Sequence, residues 1–146
     1  MLAVAATALV AQGSPHQYEV VIPDAIEAEL DAPETVSLTI AATPGYEISH
    51  DGPLRVELTI APASGVKLPK RRYVRDDAAD ARADNPRFDL RFTASEPGDY
   101  RLGVDARFWV CTRRTCRPVR EKREVSIRAT RPTPPGDAGA EPDGGL

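Results

Sequence analysis

The chain has 146 residues, a formal net charge of −3 and 14 prolines. This length accommodates one domain with a hydrophobic core, and the slightly negative charge excludes a protein that binds nucleic acid over its whole surface. The aromatic content of only 5% and the frequent prolines disfavour long amphipathic helices and favour many short strands separated by turns.

Residues 1–15 read as a leader, because residues 2–10 form a short apolar run that ends in small residues. The run suits the apolar segment of a secretory signal peptide, although no lysine or arginine precedes it. An ordinary buried strand or helix is the alternative interpretation. The run is too short to cross a bilayer, and no other stretch is long and apolar enough. We therefore expect a periplasmic or secreted protein whose mature chain has no membrane span.

The first half of the folded region contains short alternating segments between turn residues. Strands are predicted over residues 17–22, 35–42 and 54–60, with a short extended piece at residues 46–48. Apolar residues at every second position are the pattern of a half-buried strand. Residues 25–30 lack a clear alternation and are predicted as a helical turn or a loop.

The second half begins with a short edge at residues 66–68, followed by a polar, charged stretch over residues 69–86. This stretch is predicted as a long loop with a helical turn within residues 76–83. Strands follow at residues 88–92, 100–110 and 120–129. The turn at residues 96–99 precedes Tyr100, whose hydroxyl is placed to hydrogen-bond back across that corner.

About seven short strands with no helical periodicity predict an all-β fold, an immunoglobulin-like antiparallel β-sandwich over residues 16–129. Residues 130–146 are rich in Pro, Gly, Asp and Ala and are predicted to be a disordered tail.

The two cysteines, Cys111 and Cys116, lie on either side of the short loop between the last two predicted strands. Residues that face each other across antiparallel strands have Cβ atoms about 4.5–5.5 Å apart, which a disulfide can close. A closed loop of about six residues stabilises a fold by only on the order of 2 kcal/mol. A local disulfide of this kind adds little stability and is accessible to an attacking thiolate, which favours exchange chemistry.

Basic residues surround the cysteines, foremost Arg113, Arg114 and Arg117. Nearby cations favour a thiolate over a thiol and so promote nucleophilic attack on a disulfide. Two alternatives remain open. The arginines can be solvent-facing residues of an edge strand, where charge prevents sheet-to-sheet association, or they can dock an acidic partner.

Residues 108–119, FWVCTRRTCRPV, resemble the amino-terminal periplasmic domain of the DsbD family of thiol:disulfide interchange proteins, as do residues 44–48, PGYEI. The resemblance spans residues 36–127. It implies an immunoglobulin-like sandwich whose Cys111 and Cys116 accept electrons through a mixed disulfide and pass them to a partner. It also implies a cap loop with an aromatic residue, for which residues 69–86 with Tyr73 are the candidate.

The sequence departs from this family in two respects. Val119 stands where the family has a second proline after the cysteines, and neither a membrane-embedded reductant domain nor a thioredoxin-like domain follows. The partner is therefore expected to be a separate thioredoxin-like or other exported protein.

Other chemistries find little support in the sequence. His16 and His50 lie far from the cysteines with no ligand-like spacing, so no metal site is expected. The acidic residues of the 69–86 loop lack rigid placement for acid–base work, and no phosphate-binding or nucleophilic-serine motif indicates a cofactor or a hydrolase. Two hypotheses remain: a thiol–disulfide exchange domain, serving as a component of a protein-disulfide reductase, or a non-catalytic binding module with a structural Cys111–Cys116 disulfide.

Overall fold

The computed structural model describes residues 17–132. The predicted leader lies outside these residues, as does all of the predicted tail beyond Pro132. Within them the strands are β1 (Tyr18–Val21), β2 (Ala25–Glu29), β3 (Pro33–Ala42), β4 (Glu47–Ile48), β5 (Arg55–Ala61), β6 (Val66–Lys67), β7 (Arg72–Val74), β8 (Arg87–Ala94), β9 (Gly98–Cys111) and β10 (Cys116–Thr130).

The strands form two sheets. Sheet A has the order β1-β3-β8-β6, and sheet B has the order β2-β10-β9-β5-β7, with β4 paired to β9 beside the cysteine end. Every pair is antiparallel except β2 with β10, which run parallel. The prediction of an all-β immunoglobulin-like sandwich is confirmed, with one parallel edge pair added to it.

The core lies between the sheets and follows the predicted alternation. The apolar residues of every second position are buried in β3, β5, β8 and β9, and the largest fully buried side chains include Phe88, Phe92 and Phe108. No charged or polar side chain of residues 17–132 is buried in this core. The sandwich is therefore held mainly by burial of apolar surface, with the strand ladders satisfying the backbone.

The prediction for residues 25–30 is wrong, because this segment is strand β2. Its side chains alternate weakly, since Ala28 is buried while Ile26 is only half-buried. The segment becomes a strand through its neighbour: residues Ala25–Glu29 pair with Ser126–Thr130 of β10. Tertiary pairing thus overrides a weak local preference.

The charged stretch over residues 69–86 also contains more structure than predicted. It holds β7 and a 3₁₀ helix, Arg75–Asp77, one residue ahead of the predicted helical turn. The guanidinium of Arg75 donates to the carbonyl oxygens of Ala81, Ala83 and Ser49, which ties this stretch to the body of the domain. A hydrogen bond from Lys70 lowers the pKa of the Asp77 carboxyl.

The predicted corner hydrogen bond at Tyr100 is confirmed. The Tyr100 hydroxyl donates to the carbonyl oxygen of Glu96 at 2.8 Å. The ring also lies against Gly65, whose φ of +94° and missing Cβ leave room for the hydroxyl. This contact fixes the end of β9 that lies farthest from the cysteines.

Candidate functional site

The cysteine site is built on the hairpin of β9 and β10. The register places Cys116 directly opposite Cys111, with Cα atoms 3.9 Å apart, and the two residues form a disulfide. The loop between them is ordered by Thr112, whose backbone N–H donates to the carbonyl oxygen of Thr115 at 2.8 Å and whose Oγ1 accepts from the N–H groups of Arg114 and Thr115. The predicted hairpin and its bridge are therefore present.

The two cysteines differ in exposure. Cys111 is only 5% exposed, because β4 pairs with β9 on one side of it and β10 pairs on the other. Cys116 is exposed, since β2 covers β10 only from Ser126 to Thr130 and leaves the cysteine end of β10 as a sheet edge. Cys116 is therefore the more accessible of the two cysteines.

The predicted arginines are only partly brought to the disulfide. Arg113 and Arg114 lie exposed in the connecting loop. Because successive side chains of a strand point to opposite faces, Arg117 points away from the face that carries Cys116. Its Nε donates to Gln17 at 2.8 Å, beside β1 of the other sheet.

The charged residue directly opposite Cys111 is an acid. Glu47 of β4 is the register partner of Cys111, on the side away from Cys116. Paired residues share a face of the sheet, so a carboxylate lies next to the buried cysteine. A like charge disfavours a Cys111 thiolate, which opposes the effect predicted for the arginines.

Tyr73 lies in the core and not over the disulfide. It is 5% exposed, packs edge-on against Phe88 with ring centroids 6.4 Å apart, and accepts a hydrogen bond from the Arg91 N–H of sheet A. These contacts link β7 to β8 across the sandwich. The position favours a core role for Tyr73 over the cap role suggested by the resemblance.

The outer face of sheet B carries a feature that the sequence analysis missed. Moving from the disulfide along β9 and β10, the next outward pair is Trp109 opposite Pro118, and the one after it is Arg107 opposite Arg120. Arg55 of β5 lies opposite Arg107 on the other side. Three arginines thus stand side by side on adjacent strands, and we call Arg55, Arg107 and Arg120 the arginine row.

The arginine row is only partly neutralised. Asp105 accepts three hydrogen bonds from the Nε and Nη2 groups of Arg120, the shortest at 2.8 Å, and its Oδ2 lies 3.7 Å from Arg107 Nη2. The bond from Arg120 lowers the pKa of Asp105 and raises that of Arg120. Glu57 stands 3.6 Å from Arg55. The Nε atoms of Arg55 and Arg107 are shielded from solvent and have no hydrogen-bond acceptor among residues 17–132.

An open groove of about 920 Å³ runs over this face. Its apolar parts include Trp109, Pro53, Pro118 and the exposed Val74. Its charged lining consists of five arginines, the arginine row with Arg72 and Arg75, and one acid, Asp76. Because Trp109 and Pro118 are the pair adjacent to Cys111 and Cys116 on the same face, the groove borders the disulfide.

The alternation of side chains along β9 is the sequence signal that could have revealed the outer face with Trp109 and Arg107. Cys111, Trp109 and Arg107 lie two residues apart and so share one face of the strand. The position of Arg55 could not be found this way, because it depends on which residue of β5 pairs with Arg107.

The described part of the chain gives no support to two other kinds of site. Residues 17–132 contain no cluster of three or more His, Cys, Asp or Glu side chains that could hold a metal ion. Over the same residues, no helix has the length and apolar character needed to span a bilayer.

No family model matches the sequence, and no curated protein matches it either. Among solved structures, the chain is similar to murine CRIg, at 8% identity over 80% of this chain and 100% of that chain, with a TM-score of 0.43. It is also similar to a PapD-like domain of human CEP192, at 9% identity over 89% and 99%, with a TM-score of 0.41. The CooA pilin subunit of enterotoxigenic Escherichia coli gives 11% identity over 81% and 100%, with a TM-score of 0.38.

Proposed function

We propose that this chain is an exported thiol–disulfide exchange domain in which Cys116 is the point of attack and Cys111 the resolving cysteine. The observation that carries the proposal is the asymmetry of the bridge, with Cys116 exposed and Cys111 only 5% exposed. The bridge joins directly opposed residues of one hairpin, so it adds little to a ladder that already extends over fourteen register pairs.

The exchange begins with the thiolate of a reduced thioredoxin-like partner, which attacks Cys116 Sγ. A partner–Cys116 disulfide forms, the Cys111–Cys116 bond breaks, and Cys111 leaves as a thiolate that takes up a proton. The partner's second thiolate then attacks the partner's first sulfur in the mixed disulfide. Cys116 leaves as a thiolate and takes up a proton. The chain gains two electrons and two protons, and the partner is oxidised to a disulfide. The reverse sequence passes the electrons to the next acceptor.

Export is part of the proposal because a disulfide persists in oxidising compartments and is rare in the cytosol. The apolar run at residues 2–10 and the resemblance to the periplasmic DsbD domain support the same location.

The first test is the reduction potential of the pair, measured by thiol trapping after equilibration in graded dithiothreitol or glutathione buffers. A value well above about −300 mV supports exchange, whereas a value at or below it marks a structural bridge. Glu47→Gln is expected to raise the potential, because removing the charge beside Cys111 stabilises its thiolate in the reduced form. Glu27→Gln, an equal change on β2, is the control that should leave the potential unchanged.

The single-cysteine variants test the order of attack. Cys111→Ser keeps the exposed thiol and Cys116→Ser keeps the buried one, so the first is expected to react with a small aromatic disulfide reagent at least about tenfold faster. Equal rates in the two variants would contradict the assignment of Cys116 as the point of attack.

A second candidate function is a binding module whose disulfide only locks the hairpin. The groove beside the bridge favours it, because an unbalanced arginine row is a feature of recognition surfaces and is not needed for electron transfer. A low reduction potential together with ligand binding in the groove would establish this function in place of exchange.

A further inference from the structure

The arginine row is unfavourable for the fold on its own. Arg107 stands directly opposite Arg55 on one side and Arg120 on the other. Like charges directly opposite each other on a sheet are destabilising, and Arg107 pairs with neither of its cross-strand neighbours. Nothing in the packing requires these three guanidinium groups, because all three point to the outer face.

The neighbouring row of the same face supplies carboxylates to the arginine row, but too few to neutralise it. There Glu57 is paired with Arg72 on one side and Asp105 on the other, and Asp105 is paired with Lys122. Together the two rows contain five cations and two carboxylates, Glu57 and Asp105. This local excess of positive charge stands on a chain whose net charge is −3.

The charge excess adjoins an apolar strip. Trp109 lies between the arginine row and the disulfide, flanked by Pro118 in register and by Pro53. Val74, 39% exposed, stands opposite Arg55 at the β7 end of the arginine row. A ligand of this surface therefore needs carboxylates at one level and an apolar side chain at the next, about 7 Å away along the strands.

We infer that this groove is a docking site for an acidic segment of a partner protein that carries apolar side chains among its carboxylates. Guanidinium groups bind carboxylates in a bidentate geometry, and Trp109 and Val74 give the apolar side chains a surface to cover. A polyanion such as nucleic acid fits less well, because its backbone is charged at every phosphate and would also pass Glu57 and Asp105, whereas an acidic peptide can place its carboxylates at the arginine row alone. This inference does not depend on the proposed exchange, because a thiol–disulfide exchange domain and a binding module could both bind a partner through the groove.

Trp109 makes the inference measurable, because it is the only tryptophan of the chain and lines the groove. The probe is the synthetic peptide EELEELEE, titrated into the full chain at low salt while Trp109 emission is recorded. Saturable binding is expected, weakening as salt is raised, with none for the matched peptide KKLKKLKK. Absence of saturable binding by the acidic peptide would overturn the inference.

Arg72→Glu is the variant of choice, because Arg72 is exposed on the short edge strand β7 and its loss leaves the core untouched. It is expected to weaken peptide binding about tenfold. Arg91→Glu makes the same change of charge on the exposed side of β8 in sheet A and should leave the affinity unchanged. If both variants weaken peptide binding equally, the effect comes from the net charge of the chain, and the assignment of the groove as the binding site is overturned.

Two further measurements test the identity of the occupant. A single-stranded oligonucleotide of equal charge that binds as tightly as the peptide would overturn the assignment to an acidic protein segment. The chain's own carboxyl-terminal residues include Asp137, Glu141 and Asp143. If replacing these three with Ser shifts Trp109 emission and tightens peptide binding about tenfold or more, the groove belongs to the chain's own tail and the partner is excluded.

Discussion

Along β9, the even-numbered residues from Tyr100 to Val110 are buried between the sheets, whereas the odd-numbered residues from Arg101 to Trp109 face outward. The inner residues are all apolar, and their packing follows from hydrophobicity and strand period alone. The outer residues include two arginines, an aspartate and a tryptophan in an order that no packing rule requires.

The difference between the faces separates stability from function. Inner residues such as Phe108 can be explained by what they bury. The arginine row cannot be explained in this way, because like charges that stand directly opposite each other on a sheet do not assist folding. The disulfide is not explained by packing either, because it joins two residues that the hairpin already pairs. Surface features that oppose or barely assist folding are those for which a functional account is needed.

The largest effect is expected on the inner face. Phe108→Ala removes a side chain that is 1% exposed and leaves a cavity against Tyr18, so we expect a loss of about 3–5 kcal/mol in the free energy of unfolding. Urea or guanidinium denaturation measures it. The outward neighbour provides the control: Trp109→Phe, which keeps an aromatic ring in the groove, should cost much less. Equal losses would mean that the two faces contribute alike.

A smaller, pH-dependent effect is expected where the inner face meets β1. The Tyr18 hydroxyl donates to Glu121 at 2.6 Å, and burial together with this hydrogen bond raises the pKa of Tyr18 from 10.0 to about 12. The unfolded chain therefore loses the Tyr18 proton at lower pH than the folded one. The stability from this group is complete below pH 10 and is lost as the pH rises to about 12.

Tyr18→Phe isolates this effect, because it keeps the edge-on ring contact with Phe108 and removes the ionisable hydroxyl. The difference in melting temperature between wild type and variant is expected to shrink as the pH is raised from 10 to about 12. Ionisations that wild type and variant share cancel in this difference. A difference that stays constant over the range would contradict the raised pKa.

The sequence predicted those parts of the molecule that depend on period and turn chemistry. The strands of β3, β5, β8 and β9 follow from alternation, and the Tyr100 corner follows from its turn. The hairpin and its disulfide follow from the placement of two cysteines around a short loop. Each of these features is local or involves neighbouring strands.

The parts that could not be predicted depend on pairing between distant segments. Strand β2 exists because β10 offers it an edge, which the residues of β2 do not reveal. The basic residues near Cys111 are close to it in sequence, yet Arg117 points to the opposite face of the sheet. The direct neighbour of Cys111 is Glu47, 64 residues away in the sequence. The arginine row likewise requires the register of β5 on β9.

The smallest expected effect gives the sharpest test of the outer face. Arg107→Glu places a carboxylate between Arg55 and Arg120, replacing two like-charge pairs with two opposite-charge pairs and removing a shielded Nε that lacks an acceptor. It also replaces the 3.7 Å contact between Arg107 Nη2 and Asp105 Oδ2 with a contact between two carboxylates, which offsets part of the gain. We expect a gain of about 0.5 kcal/mol in stability, because opposite charges across a sheet stabilise by a few tenths of a kcal/mol per pair or more. Binding of the acidic peptide should be lost at the same time, so that stability and function change in opposite directions.

The control is Arg101→Glu, the same reversal two outward positions beyond Asp105. Arg101 lies opposite Ser126 and Ala61 and 4.0 Å from Glu124, so its reversal relieves no repulsion and brings two carboxylates together. We expect no gain in stability and no loss of peptide binding. If Arg107→Glu, like Arg101→Glu, brings no gain in stability, the arginine row carries no unfavourable charge, and its presence needs no functional explanation.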